Sequence, residues 1–369
     1  MIEYRVLESI GACPRDEWDA LFPGQLERFD YLAAVEAAGL KAFRWRYVVA
    51  EERGRLIAAM PAFLTDYALD TTLAGAGKRI VAGLRRCFPR ALVLRMACLG
   101  SPCTETLQVG FAPELDPQRH PVLVGGLLRA FECEARGQRC GLLALKDVPA
   151  DQQALWRRVA HPAGYRALPG MPGATLEVKF GSLEDYLASL SAGTRRDMRR
   201  KLRARPQVRI ERRHSIDDVI GAVQELYAAT RARAELQFEE LTPAFFQGVL
   251  ARCPGASCAL YYAGGKLLAM NLLLEDTHTL LDKFFCMDAE AGREYSLYFL
   301  SWFCNVEYCV SKGLARYQSG QAGYANKLRL GSTLGRTSMY FRHGNALVNT
   351  LLRAAAPLFS RSLEPASES

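Results

Sequence analysis

Two stretches of this 369-residue chain gather side chains that could do chemistry. The first, residues 192–213, reads AGTRRDMRRKLRARPQVRIERR and holds ten Lys/Arg against two acids, Asp197 and Glu211. Its excess of eight positive charges equals the +8 of the whole chain, so the remainder is neutral. In a helix, Arg196, Arg199, Arg200 and Arg203 fall on one face at i, i+3, i+4, i+7. Guanidinium groups on a common face suit bidentate recognition of phosphate. The same pattern also describes a solvated face with acidic neighbours elsewhere in the fold. No aromatic interrupts the run, which argues against base stacking on single-stranded nucleic acid.

The second stretch, 316–331, reads RYQSGQAGYANKLRLG. Gly320 and Gly323 allow close approach of backbone to a ligand. Lys327 could neutralise a phosphate or a developing oxyanion; read structurally, it is an exposed lysine after a turn.

Other signals fall away. Gly75-Ala76-Gly77-Lys78 lacks the third glycine of a dinucleotide fingerprint and the Ser/Thr of a phosphate loop. Residues 255–259, GASCA, miss the final glycine of a nucleophile elbow. The eleven cysteines are odd in number, without a CxxC, and several lie in apolar runs. They read as buried thiols in a reducing compartment. The five histidines are scattered, so no metal site is expected. The start, MIEYRVLES, has no signal-peptide core, and no run of eighteen apolar residues occurs. A cytoplasmic protein is expected.

Several elements must position the two stretches. Runs 43–50 and 56–64, joined by EERGR, predict a hairpin. A further apolar run covers 91–99. Val124, Leu127, Leu128 and Phe131 predict an amphipathic helix over 121–136. A strand at 141–145 and a helix at 151–159 follow. LPGMPG at 168–173 marks a boundary. In the second half a strand is predicted at 175–180. Ser182 and Asp185 cap a helix over 183–190, and Ser215 with Asp218 a later one. A helix is also expected from Pro243. Runs 258–263, 267–274 and 279–287 make a three-stranded meander. Residues 297–310 are apolar on nearly all sides and read as a buried helix. Strands at 315–319 and 338–342 and a C-terminal helix over 346–359 complete the chain.

Gly54-Arg55-Leu56-Ile57-Ala58 matches Gly265-Lys266-Leu267-Leu268-Ala269, each at a turn into a long apolar strand. A meander, a helix and a strand follow in the same order in both halves, which reads as a duplication. The expected fold is α+β, with units at 1–172 and 173–345 and a helix and tail at 346–369.

The pattern Leu187-x-x-Leu-Ser-x-x-x-Arg195-Arg-x-x-Arg-Arg-Lys, with Leu226-Tyr-x-x-Thr230-x-x-Arg233, resembles the FemAB-like branch of the GNAT superfamily. So does Gly320…Lys327-Leu-Arg-Leu-Gly331, although Asn326 and Leu330 stand where that branch carries aromatics. The resemblance covers about 175–345 and implies two GNAT-like (acyl-CoA N-acyltransferase) domains, each a mixed, mainly antiparallel sheet flanked by helices. It also implies transfer of an acyl or aminoacyl group to an amine. Where ordinary GNAT acetyltransferases carry R/Q-x-x-G-x-G/A for pyrophosphate, this chain reads Arg293-Glu-Tyr-Ser296-Leu-Tyr298. Ser296 can still cap the helix, but Tyr298 crowds the backbone. Acetyl-CoA thereby loses weight against aminoacyl-tRNA or a carrier-bound acyl group.

The expected enzyme is thus an N-acyltransferase with no tightly bound cofactor, acyl-CoA or aminoacyl-tRNA as co-substrate, and a small amine as acceptor. Asp282 and Glu294 are candidate bases, Tyr324 a proton relay, and Lys327 the partner of the oxyanion or a phosphate. Arg196, Arg199, Arg200, Arg203, Lys283, Arg293, Ser296 and Gly320 are candidates to hold the donor. Asp282 and Lys283 should lie on opposite faces of a regular strand. The alternative is an inactive domain pair that binds tRNA or anionic lipid through the basic segment.

Overall fold

The structure is a computed structural model that describes residues 1–68, 93–234, 238–345 and 348–350. The glycine-rich 74–79 and nearly all of the C-terminal helix and tail expected from 346 lie outside these residues.

The first half runs β1 (Ile2–Leu7), α1 (Arg15–Leu21), α2 (Phe29–Ala37), β2 (Phe43–Glu52), β3 (Arg55–Ala68), β4 (Val93–Leu99), β5 (Gly110–Phe111), α3 (His120–Gly137), β6 (Leu142–Pro149), α4 (Gln153–Ala160) and β7 (Arg166–Pro169). The second runs β8 (Gly173–Glu177), α5 (Leu183–Ser189), α6 (Ala192–Lys201), β9 (Arg209–Arg213), α7 (Ile220–Arg233), α8 (Pro243–Arg252), β10 (Ala256–Ala263), β11 (Lys266–Glu275), β12 (Thr279–Met287), α9 (Ala289–Glu294), α10 (Leu297–Lys312), β13 (Arg316–Gln318), α11 (Tyr324–Arg329), β14 (Thr333–Gly335) and β15 (Thr337–His343).

The periodicities behind these elements are visible in their burial. Leu123, Val124, Leu127, Leu128 and Phe131 form the covered stripe of α3. The Ser182 hydroxyl accepts from the Asp185 N–H at 3.1 Å and starts α5. Gly313, at φ +69°, ends α10 in the left-handed conformation that glycine adopts without penalty. Ser215 instead accepts from the Asp217 N–H, and a short 3₁₀ turn delays α7 to Ile220.

The strands form two sheets, ordered β1-β2-β3-β4-β6-β15-β7 (with β5 beside β3) and β9-β10-β11-β12-β13-β8-β14. The orders correspond strand for strand, and the likeness reaches individual registers. Ala58 faces Ala50 across the first hairpin and Ala269 faces Tyr261 across the second. In both, one residue is skipped before Leu56 and Leu267 respectively, so Ile57 and Leu268 occupy equivalent bulges.

The last strand of the second half crosses to the other sheet. β8 opens the second half and lies between β13 and β14 of its own sheet. β15 follows the second sheet but inserts between β6 and β7. The unit drawn by sequence over 173–345 therefore contains a strand, Thr337–His343, that belongs to the first sheet.

A shared core joins the halves. Tyr31 of α2 meets Phe245 of α8 edge to face with centroids 6.3 Å apart. Gly248 lets α8 approach Ala34, whose Cβ is 3.6 Å from where a Cβ on Gly248 would lie. The Thr242 hydroxyl, which caps α8, also donates to the Ala38 carbonyl at 2.6 Å.

Residues 192–213 are not one helix. They form α6, a 3₁₀ turn at Leu202–Gln207 and the edge strand β9. Much of their charge is paired. Arg199 meets Glu184, Arg200 and Lys201 meet Asp197, Arg205 meets Glu307, Arg212 meets Glu275, and Arg213 meets Glu211 and Asp218. Arg196 and Arg203 are exposed and carry no ion pair among the described residues.

Candidate functional site

The second sheet opens at one place. β12 and β13 are parallel and paired at Thr279–Arg316, Leu280–Tyr317 and Leu281–Gln318. Beyond that point β12 continues to Met287, whereas the other chain turns away at Ser319–Gly320. A fork between parallel strands exposes backbone at their carboxyl ends, the usual place for a ligand in such sheets.

Lys327 holds the outer arm of the fork. Its ammonium donates to the carbonyls of Ser319 at 2.5 Å, Gly320 at 3.1 Å and Gln321 at 3.2 Å. All three protons are thus engaged, and burial pulls its pKa below the ordinary lysine range. Lys327 shapes the loop rather than presenting a free ammonium. Gly320, at φ +69°, sits at the turn, where a Cβ would lie 3.5 Å from Glu105 Oε2 and 3.6 Å from the Asp282 carbonyl oxygen.

The inner arm carries Asp282. Its carboxylate accepts from Asn271 at 2.5 Å and from the Tyr317 hydroxyl at 2.8 Å. Asn305 donates to Asn271 Oδ1 at 2.8 Å and to the Tyr317 oxygen at 3.1 Å. Burial raises the Asp282 pKa, and the bonds from Tyr317 and Asn271 oppose that rise.

Lys283 is the bulged residue of β12, because Leu273 pairs with Asp282 and Leu272 with Phe284. It lies on the opposite face from Asp282, as the alternation predicts, but does not face solvent or a phosphate. Its side chain is 2 % exposed, and the ammonium lies 2.6 Å from Glu27 and 3.2 Å from Glu105, both from the first half. Burial works against that charge, and the two carboxylates outweigh it and hold the Lys283 pKa high. Burial in turn pushes the Glu27 carboxyl up.

Two hydroxyls at the fork have no partner. Tyr298 Oη and Tyr324 Oη are both buried without a hydrogen bond among the described residues. Tyr298 reaches from α10 across to Gly323, where a Cβ would lie 3.8 Å from its oxygen. Tyr324 is in the field of Asp147 and Glu105, and burial raises its pKa.

The remaining expectations scatter. Glu294 and Arg293 are exposed on α9. Ser296 precedes α10 at φ +54° and makes no side-chain cap, contrary to its expected role. The arginines near α6 are exposed as expected, and Lys201 Nζ lies 3.4 Å from the Phe299 ring centre, which sets the basic end of α6 against the first turn of α10.

Sequence reasoning missed the first half's share of the site, Glu27 and Glu105 with Lys146 and Asp147, and also Glu239 of the second half. Lys146 bonds Asp147 at 2.6 Å and the Thr104 carbonyl at 2.9 Å. Burial raises the Glu239 carboxyl, with Lys146 opposing. These residues sit in loops or at strand ends, where no periodicity marks them.

Residues 192–328 match the acetyltransferase (GNAT) domain family. The protein named putative 8-amino-7-oxononanoate synthase 2, of Mycobacterium tuberculosis, is 22 % identical over 332 residues, 87 % of this chain. The chain spans only 42 % of that relative's length. Among solved structures, FemX superimposes with a TM-score of 0.58 at 12 % identity, covering 95 % of this chain and 99 % of its own. A tandem GNAT protein from the clavulanic acid biosynthesis pathway gives 0.52 at 14 % identity, covering 94 % and 99 %. The duplicated sheets, the fork and these likenesses agree: residues 192–328 carry an acetyltransferase (GNAT) domain, and the whole chain has the two-unit GNAT-like fold of FemX and the tandem GNAT protein.

Proposed function

We propose that the fork between β12 and β13 binds an activated acyl or aminoacyl donor and passes its acyl group to an amine that enters from the junction of the halves. The observation that supports this best is the fork itself, lined by the unpartnered hydroxyls of Tyr298 and Tyr324 and reached by Glu105. A buried hydroxyl without a partner is costly unless a ligand satisfies it. Either tyrosine can donate to an acyl oxygen as it gains charge. Holding amine and carbonyl together can lower the barrier by about 7–11 kcal/mol. Lys327 contributes by fixing the loop at 319–321.

The basic end of α6 beside α10, with exposed Arg196 and Arg203, favours a donor that carries phosphate. Acyl-CoA and aminoacyl-tRNA both meet that requirement. The test supplies the full chain with radiolabelled acetyl-CoA or alanyl-tRNA and, as acceptors, spermidine, L-lysine and D-glucosamine. Amide formation from one donor is the expected result, with donor affinity falling steeply in salt. Binding of tRNA with no transfer from either donor would overturn the assignment in favour of a binding protein.

A further inference from the structure

We infer that Glu105 receives the acceptor: its Oε2 binds the incoming ammonium at the fork and takes its proton. The inference rests on the acyl-transfer reading above and adds which half selects the amine.

The two oxygens of Glu105 have different surroundings. Oε1 is held by Lys283 Nζ at 3.2 Å, and the Glu105 N–H donates to Glu27 Oε2 at 3.2 Å, so the carboxylate is fixed in place. Oε2 has no hydrogen bond among the described residues and lies beside Gly320 at the fork. At 13 % side-chain exposure the group is sheltered yet reachable. The other acids near the fork are committed elsewhere. Asp282 faces the opposite side of β12 and is bonded by Asn271 and Tyr317. Glu27 is bonded by Lys283 and by the Glu105 amide.

The loop that carries Glu105 has lost the corresponding task in its own half. β4 and β6 are parallel through Leu99–Leu145, the first-half counterpart of the fork. There the chain leaves the sheet after Gly100, whose N–H donates to Pro61 at 2.8 Å, and rejoins β3 only at Gly110–Phe111. The intervening loop fills the opening: the Leu107 N–H bonds the Asp147 carbonyl at 3.0 Å, and Leu107 is 1 % exposed. Lys146 closes the same place from the other side through Thr104. In register, this excursion stands where β12 has its bulge at Lys283. The two irregularities meet across the halves as the Glu105–Lys283 pair.

Charge favours a cationic guest. Around the opening stand Glu27, Glu105, Asp147 and Glu239 against Lys146 and Lys283, while Lys327 is consumed by its three carbonyls. In the reaction, one proton passes from the ammonium to Glu105. The freed amine attacks the acyl carbon, a C–N bond forms, and the acyl C–S or C–O bond breaks. The second amine proton leaves with the departing thiolate or alkoxide, which is released as thiol or alcohol.

Glu105→Gln keeps the shape and an acceptor for Lys283 but cannot take a proton. At neutral pH its kcat/KM for whichever of spermidine, L-lysine or D-glucosamine the wild type acylates should fall about 100-fold, within the usual range for a general base. The deficit should shrink toward pH 10, where the amine is neutral in solution, with donor affinity and Tm unchanged. Equal kcat/KM in variant and wild type across pH would overturn this role and leave the acyl-transfer reading standing. A loss uniform in pH, accompanied by a lower Tm, would also overturn it, in favour of a structural clamp. No transfer by the wild type with either donor would overturn both.

Discussion

Lys327 has three N–H donors, and the carbonyls of Ser319, Gly320 and Gln321 take all of them. A buried ammonium tolerates its desolvation only when its protons are so satisfied. Lys327→Met should therefore strip three carbonyls of their donor, lower Tm and abolish transfer together. Lys327→Arg should restore neither, because a planar guanidinium cannot address three carbonyls converging on one point. Calorimetry and the transfer assay on both variants check this, and full activity in the arginine variant would refute it. Tyr298 makes the opposite case. Its hydroxyl bonds nothing among the described residues, so Tyr298→Phe should leave stability within about 0.5 kcal/mol of wild type or raise it. Its kcat should nevertheless fall at least tenfold if the hydroxyl meets the acyl oxygen, and an unchanged kcat would remove it from the site.

At the scale of elements, the bulge in β12 decides which residues face the junction. It places Lys283 and the adjacent Phe284 on the same side, toward Tyr31 and Phe245. Lys283→Met would leave Glu27 and Glu105 without a cation at a cost of about 3–5 kcal/mol at neutral pH. The pH dependence follows from Glu27, whose carboxyl burial already raises above the ordinary range. An acid with a raised folded pKa contributes stability below its unfolded value, about 4.3, and loses it as pH rises through the folded pKa. The variant's deficit should thus be small near pH 5 and grow toward pH 8, as thermal unfolding at several pH values would show. A deficit independent of pH would count against the buried pair. Much of this layer was readable in sequence. Apolar runs marked the meander, Ser182 and Asp185 marked α5, and the repeat Gly54–Ala58 against Gly265–Ala269 marked the duplication. The register of the parallel strands was not readable, because it depends on α10 crossing the sheet. Nor was the pairing of Lys283 with Glu27 and Glu105, which are 256 and 178 residues distant. Such isolated acids in loops carry no local pattern.

For the whole molecule, the crossing of β15 into the first sheet makes the halves interdependent. The heptad TSMYFRH at β15 shows that a strand forms, but nothing in it says which sheet it joins. In the fold it pairs with both β6 and β7. A chain cut after residue 172 would leave the first sheet with β6 and β7 unpaired at its interior, and unpaired edges invite aggregation. The second piece, 173–369, keeps β8 within its own sheet, between β13 and β14. The pieces are therefore not equivalent. Residues 1–172 expressed alone should be insoluble or molten, whereas 173–369 should keep a complete second sheet with β15 dangling. Coexpressed, the two should copurify, because β15 restores the first sheet and α2 regains α8. A well-folded, monomeric 1–172 with a sharp thermal transition would contradict this dependence. The outcome bears on the site as well, since Glu105 reaches the fork only while β15 and the α2–α8 packing hold the first sheet against the second. Transfer by the isolated 173–369 should accordingly be lost, and should return on addition of coexpressed 1–172.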